Sequence, residues 1–211
     1  LGTFTPPREI FISASFLDTL DETDVRSGVG EMLKVHAIDG PDSFDRLAGE
    51  YENLFSDRQA MAAAIRRSLE IKKRAIEEDE FDTGPRNIFN YGHTFGHAIE
   101  AATDFAIPHG IAVTIGMDMA NHIAAHLGIG DEVHYQRMHP VLKANFHGFQ
   151  NHPVPVDRFI DAISKDKKNT GKDSVTLILP DHTAVIGKHV CANDEAFAVA
   201  CIDYLERKRT Q

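Results

Sequence analysis

Apolar residues in this chain recur almost everywhere at intervals of three and four. That spacing builds helices with one buried face and leaves little room for a sheet. Val25, Val29, Met32 and Leu33 set the pattern in a helix starting near residue 22, with Thr23 or Asp24 placed to cap it. A helix opening at Pro41 and Asp42 runs to about residue 55, and Asp57 caps a long one to about residue 78. Further helices are predicted over about residues 87–103, 111–127, 131–144, 156–164 and 193–207, with a short helical turn at 15–20. Strand signals are few. Residues 9–13 read as a lone strand, whose sheet partners must lie elsewhere. Residues 174–180 and 183–187 read as a hairpin across Asp181 and His182. The expected fold class is therefore mainly α: a helical domain with a small β-hairpin and one leftover N-terminal strand.

At 211 residues the chain can bury a core of its own. No apolar run approaches the length of a membrane span, and no secretory signal is seen. The missing initiator methionine leads us to expect a longer parent chain. A net charge of -10 argues against nucleic acid and anionic membranes as partners. Cys191 and Cys201 fit no zinc pattern and no disulfide framework. A reducing, cytoplasmic home is expected.

One run stands apart: Asn90-Tyr91-Gly92-His93-Thr94-Phe95-Gly96-His97-Ala98-Ile99-Glu100. Within a helix, Asn90, His93, His97 and Glu100 would share a face, and Gly92 and Gly96 would let another backbone approach. Two histidines four apart are common by chance in a chain with twelve, and the zinc-protease glutamate is absent between them. What distinguishes the run is its company. His109 follows just after Pro108. A catalytic metal site needs about three protein ligands and an open position. The histidines could be joined by a local carboxylate, Glu100, or a distant one, Glu31; spacing alone does not choose. Glu31 could equally be paired with Lys34, three residues on. Cations at polar–apolar junctions, Lys34, Lys72, Arg86, Lys167 and Lys168, suit a substrate carrying phosphate or carboxylate.

These pieces form an ordered series. Gly2-Thr3-Phe4 with Pro6-Pro7, Phe16-Leu17-Asp18-Thr19, Ser27-Gly28 with Glu31 and Lys34, Ile71-Lys72, Asp79-Glu80, Gly84-Pro85-Arg86, the histidine run, His109-Gly110, and Asp166-Lys167-Lys168-Asn169 follow one another through most of the chain. In this the chain resembles the C-terminal, metal-binding domain of the 3-dehydroquinate synthases, in the sugar phosphate cyclase family. The histidine run is the specific part.

The resemblance implies roles. Glu31, His93 and His109 match the metal ligands, for zinc or cobalt, which leaves Glu100 a structural role. Lys34 matches a lysine meeting substrate hydroxyls beside the metal, and Lys72 and Arg86 match the residues holding a substrate carboxylate. Asn90, His97 and one of Lys167 and Lys168 match groups near the leaving phosphate, with His97 able to relay a proton. Phe16, Leu17, Asp18 and Thr19 match a segment touching NAD.

The implied activity is that of a carbon–oxygen lyase of the shikimate pathway, in aromatic amino acid biosynthesis. It converts 3-deoxy-D-arabino-heptulosonate 7-phosphate to 3-dehydroquinate and phosphate. In that reaction NAD transiently oxidises a ring hydroxyl, phosphate is eliminated, the ketone is reduced again, and ring opening and aldol closure give the carbocycle. A homodimer is implied. Residues 1–14 then read as the end of a nucleotide-binding domain and residues 15–211 as the helical metal- and substrate-binding domain.

The sequence departs from the family at Val35-His36-Ala37-Ile38 and at Pro85, which keeps another sugar phosphate cyclase in view. The family's Gly-rich phosphate loop lies in an N-terminal NAD-binding domain not present in this chain. The chain alone is therefore expected to bind NAD poorly and to be inactive. A non-catalytic, metal-stabilised module is the alternative of another class. The iron-dependent alcohol dehydrogenases fit the histidine run less well.

Overall fold

The computed structural model describes residues 8–80, 84–165 and 173–211. Lys167 and Lys168, and the motif at Gly2 to Pro7, lie outside the described residues. Helix α1 (Glu22–Asp39) is capped by Asp21, whose extended backbone lets its carboxylate accept from the Asp24 amide at 2.8 Å. Thr23 and Asp24, the expected caps, lie inside the helix. The predicted helix over 41–55 divides into α2 (Pro41–Gly49) and α3 (Asn53–Ser56). Pro41 opens α2, a position where its missing amide leaves no bond unmade. Asp57 caps α4 (Arg58–Glu78) through the Gln59 amide, as the sequence indicates.

The predicted helix over 87–103 does not form as one piece. A 3-10 turn (Pro85–Asn90) precedes α5 (His93–Ala102), and the break falls at Gly92. Its φ of +75° lies in the left-handed region that glycine adopts without strain. Asn90 therefore stands before α5 and not on its face. Its side-chain Nδ2 donates to the Asn87 backbone carbonyl at 3.1 Å.

Helix α6 (His109–His126) is the centre of the domain. Every residue from Gly110 to Ala124 is buried, the pattern of a helix enclosed on all sides. It packs against α1, α5, α7 (Glu132–Asn145) and α9 (Glu195–Glu206), while α8 (Val156–Ser164) lies against α5. Two of its buried polar residues find partners on neighbouring elements. Asp118 accepts from Tyr204 at 2.7 Å and from His139 at 2.9 Å, and Tyr91 donates to Asn121.

Strands β1 (Ser174–Pro180) and β2 (Ile186–Ala192) pair antiparallel from Ser174 with Ala192 to Pro180 with Ile186. The second strand starts and ends later than predicted because Asp181 organises a longer turn, accepting from the Thr183 and Val185 amides. Val175, Leu177 and Leu179 of β1 are buried, and β1 packs on α6. Residues 9–13 have no ladder partner among the described residues, in keeping with a run whose sheet partners were expected to lie elsewhere. Ile10, Phe11 and Ile12 stand exposed there. No described helix is long and apolar enough to cross a membrane.

Candidate metal centre

Three helices meet where the polar run was expected to act. α1 and α6 approach so closely that a Cβ on Gly110 would lie 1.9 Å from the Ser27 carbonyl oxygen. The Gly110 amide donates to Ser27 Oγ at 2.9 Å, so an open amide of the first turn of α6 is satisfied by the neighbouring helix. Gly92 plays the same part toward α6, where a Cβ would meet Met117 at 2.6 Å. This contact brings Glu31 of α1, the first residue of α5, His93, and the first residue of α6, His109, around one point.

Each of the three has one atom tied by the protein and another turned inward. His93 Nδ1 lies 3.2 Å from the Tyr91 carbonyl. His109 Nδ1 lies 3.2 Å from both oxygens of Glu100. Carbonyls and carboxylates only accept, so the proton sits on Nδ1 in both rings and each Nε2 offers a lone pair. Glu31 Oε2 accepts from Lys34 at 2.8 Å. Its other oxygen, Oε1, is buried and has no hydrogen-bond partner among the described residues. That oxygen lies 3.8 Å from His93 Nε2 and 3.6 Å from His109 Nε2. Ligands about 2 Å from a tetrahedral ion lie roughly 3.3 Å from one another. An orphaned carboxylate oxygen facing two imidazole lone pairs at nearly that spacing fits a divalent cation. Such a donor set suits zinc or cobalt.

The electrostatics agree. Burial pushes His93 down to about 4, and Lys34 adds to the effect, so its ring is neutral and ready to ligate. Burial raises the Glu31 carboxyl, but the charge and hydrogen bond of Lys34, with His93 and Lys72, outweigh it and hold Glu31 below its ordinary value. Burial lowers Lys34, and Lys72 lowers it further, against the opposing pull of Glu31. Lys34 Nζ also lies 3.4 Å from His93 Nε2.

His97, one turn along α5, also belongs to this cluster. One donor atom from each of His93, His97 and His109 falls within 4.8 Å of the others. The His97 ring is exposed and stacks beside His109, with centroids 5.7 Å apart. It stands at the open side of the centre.

Lys34, Lys72 and Arg86 line one cleft of about 240 Å³ next to the centre, with Ile76 and Phe89. The Arg86 guanidinium is anchored by the Asp79 and Glu80 carbonyls at 3.0 and 2.8 Å. Leu17 and Asp18 line a different cleft, of about 580 Å³, together with Arg26, Phe55 and Arg58. Asp18 is engaged there by Arg58 at 2.6 Å. Sequence reasoning missed the Tyr91 carbonyl and the bond from His109 to Glu100, and it gave Ser27 no contact although the residue stood in the motif series. Glu100 had a signal of its own, because it lies seven residues beyond His93 on the same helix face.

Residues 28–169 match the family described as 3-dehydroquinate synthase C-terminal. The chain belongs to that family. It is 36% identical over 177 residues to the 3-dehydroquinate synthase of Campylobacter jejuni subsp. doylei, which covers 82% of this chain and 50% of that protein. With the 3-dehydroquinate synthase of Rhodopirellula baltica it shares 34% identity over 209 residues, 96% of this chain and 56% of the relative. The chain thus spans about half the length of the curated relatives it matches. Among solved structures it is similar to a 2-epi-5-epi-valiolone synthase from Streptomyces hygroscopicus subsp. jinggangensis with NAD+ and Zn2+ bound. There the TM-score is 0.81 at 25% identity, over 98% of this chain and 58% of the other. A 2-deoxy-scyllo-inosose synthase complexed with carbaglucose-6-phosphate, NAD+ and Co2+ shares the fold. Its TM-score is 0.80 at 21% identity, over 96% of this chain and 57% of the other. The helical domain with its hairpin is thus the C-terminal domain of this family.

Proposed function

We propose that this chain is the metal- and substrate-binding part of a 3-dehydroquinate synthase: a cytoplasmic, phosphate-eliminating lyase acting on 3-deoxy-D-arabino-heptulosonate 7-phosphate. The observation that carries the reading is the unpartnered Oε1 of Glu31, aimed at His93 Nε2 and His109 Nε2 at 3.8 and 3.6 Å. Glu31, His93 and His109 would hold a zinc or cobalt ion. Such an ion supplies Lewis acidity to a substrate hydroxyl or carbonyl oxygen.

The remaining roles belong to side chains around it. Lys34, held against Glu31, meets the substrate hydroxyls beside the metal. Lys72 and Arg86, on one wall of the same cleft, take the substrate carboxylate by charge-assisted hydrogen bonds. That pairing favours the seven-carbon acid over a neutral sugar phosphate. His97, at the open edge, relays a proton toward the departing phosphate. Asn90 and one of Lys167 and Lys168 contact the same phosphate and stabilise its charge. NAD supplies a reversible hydride acceptor, with Phe16, Leu17, Asp18 and Thr19 as this chain's contacts to it. Most of its binding is assigned to an N-terminal domain beyond this sequence, and the complete enzyme to a homodimer.

Zinc content tests the centre. The full chain should carry about one zinc per chain, and His93→Ala and Glu31→Ala should lose it while circular dichroism stays helical. Unchanged zinc in folded His93→Ala would overturn the ligand assignment. Turnover of a neutral sugar phosphate but not of the seven-carbon acid, by the complete enzyme, would overturn the substrate.

A further inference from the structure

We infer that Glu100 is a positioning residue of the metal centre, acting through His109. The inference rests on the proposed ligand role of His109. Glu100 is buried, with 8% of its surface exposed, in the last turns of α5. Its two oxygens lie equally close, 3.2 Å, to His109 Nδ1. An imidazole carries its single proton on either nitrogen, and in water the ring turns freely about its bonds. A carboxylate fixed at Nδ1 removes both freedoms. It places the proton on Nδ1 and leaves Nε2, 3.6 Å from the orphaned oxygen of Glu31, as the lone-pair donor.

The chain between the two residues is shaped to make this contact. Asp104 and Phe105 adopt φ of 52° and 60°, the left-handed region that side chains other than glycine's rarely enter. The Phe105 amide donates to the Glu100 carbonyl at 2.8 Å, and Arg158 grips the Asp104 carboxylate at 2.9 Å. This reversal turns α6 back over the end of α5 and sets its first residue, His109, above Glu100. His109 is half exposed, with 47% of its side chain open, so packing alone does not fix its ring. His93 differs: its side chain is 14% exposed, and the Tyr91 carbonyl takes its Nδ1 proton. Of the two histidine ligands, His109 is the one whose direction depends on a side-chain partner.

The test is a double-mutant cycle on the full chain, with zinc affinity measured by competition against a chromogenic chelator. Glu100→Met keeps the length of the side chain and removes the acceptor. It should weaken zinc about 10–100-fold, the range for partners that orient a ligand. The same change in a His109→Ala background should have no further effect. Glu100→Gln, which can still accept from Nδ1, should retain most of the affinity. A second readout needs no metal. Long-range proton–nitrogen spectra of the metal-free protein should show His109 as the Nδ1–H tautomer in the wild type and Glu100→Gln, and as a mixture in Glu100→Met. An equal loss of affinity in both backgrounds, or an unchanged His109 tautomer in Glu100→Met, overturns the inference. If the wild type binds no zinc, the metal centre itself fails, and the tautomer spectra still decide the role of Glu100.

Discussion

Gly110→Ala is expected to loosen the metal centre without touching a ligand. The added Cβ would lie 1.9 Å from the Ser27 carbonyl oxygen, 2.6 Å from its carbon and 2.7 Å from its Oγ. The first two are backbone atoms of α1, so no rotamer change relieves them and the helices must separate. Overpacking of this kind costs about 1–3 kcal/mol, here at the upper end because backbone must move. Loss of the bond from the Gly110 amide to Ser27 Oγ removes about 1 kcal/mol more. The helix preference for alanine returns up to about 1 kcal/mol. The net destabilisation is about 3 kcal/mol, which for a chain of this size lowers the melting temperature by roughly 6–12 °C. Glu31 lies one turn beyond Ser27 and moves with α1, so zinc affinity should fall as well. Gly28→Ala is the internal control. It lies on the same helix with nothing within 4 Å of its Cβ, and should raise the melting temperature by a few degrees at most. Calorimetry and chelator competition on both variants read the two effects. A Gly110→Ala protein with unchanged melting and zinc affinity, or a Gly28→Ala protein that loses as much, would refute the close-contact argument.

Asp118→Ala should destabilise more than Tyr204→Phe in urea titrations. The first removes an acceptor from half-buried His139 and from the Tyr204 hydroxyl, which keeps only a longer bond to the Ile115 carbonyl at 3.3 Å, about 3–4 kcal/mol, whereas the second removes the hydroxyl alone, about 1–2 kcal/mol. Acid should weaken the fold through His134, which burial, reinforced by Arg137, depresses to about 4 from an ordinary 6.5. A depressed folded value means the neutral ring is favoured, so this stability is complete above about 6.5. It is lost as pH falls through 4, and amounts to roughly 3 kcal/mol. Melting curves of His134→Gln against wild type across that window should converge toward pH 4. Lys72→Met in the complete enzyme should raise KM for the seven-carbon acid about tenfold or more. A neutral sugar phosphate should be unaffected, as steady-state kinetics would show.

The helices were legible because their apolar spacing is a local property. The metal centre was legible only in part. His93, His97 and Glu100 share α5, so helical periodicity alone places them together. Glu31 and His109 reach the same point through the contact of α1 with α6, a long-range event that leaves only glycines as its trace. Spacing gave no reason to choose Glu31 over Glu100. In the structure the two carboxylates differ: among the described residues Glu31 Oε1 has no hydrogen-bond partner and faces two ring nitrogens, while Glu100 lies against His109 Nδ1. The misplacement of Asn90 has a local cause. Periodicity runs through Gly92 uninterrupted, but a left-handed glycine rotates everything before it off the helix face. Residues 9–13 read as a strand whose partners lie elsewhere, and among the described residues that run has no neighbour to pair with. The hairpin's second strand was displaced by Asp181, whose side-chain bonds to the turn lengthen the loop.

The arrangement of Glu31, His93 and His109 on three separate helices has a consequence for folding. A cation held by all three would bind only after α1, α5 and α6 have docked, and would then resist their separation. It would act as a clasp on the chain between residues 31 and 109, opposing the loop entropy gained on unfolding. The melting temperature of the domain should therefore depend on free zinc concentration, rising logarithmically above the dissociation constant. Removing the metal would then lower the folded fraction of the domain as well as empty the proposed centre.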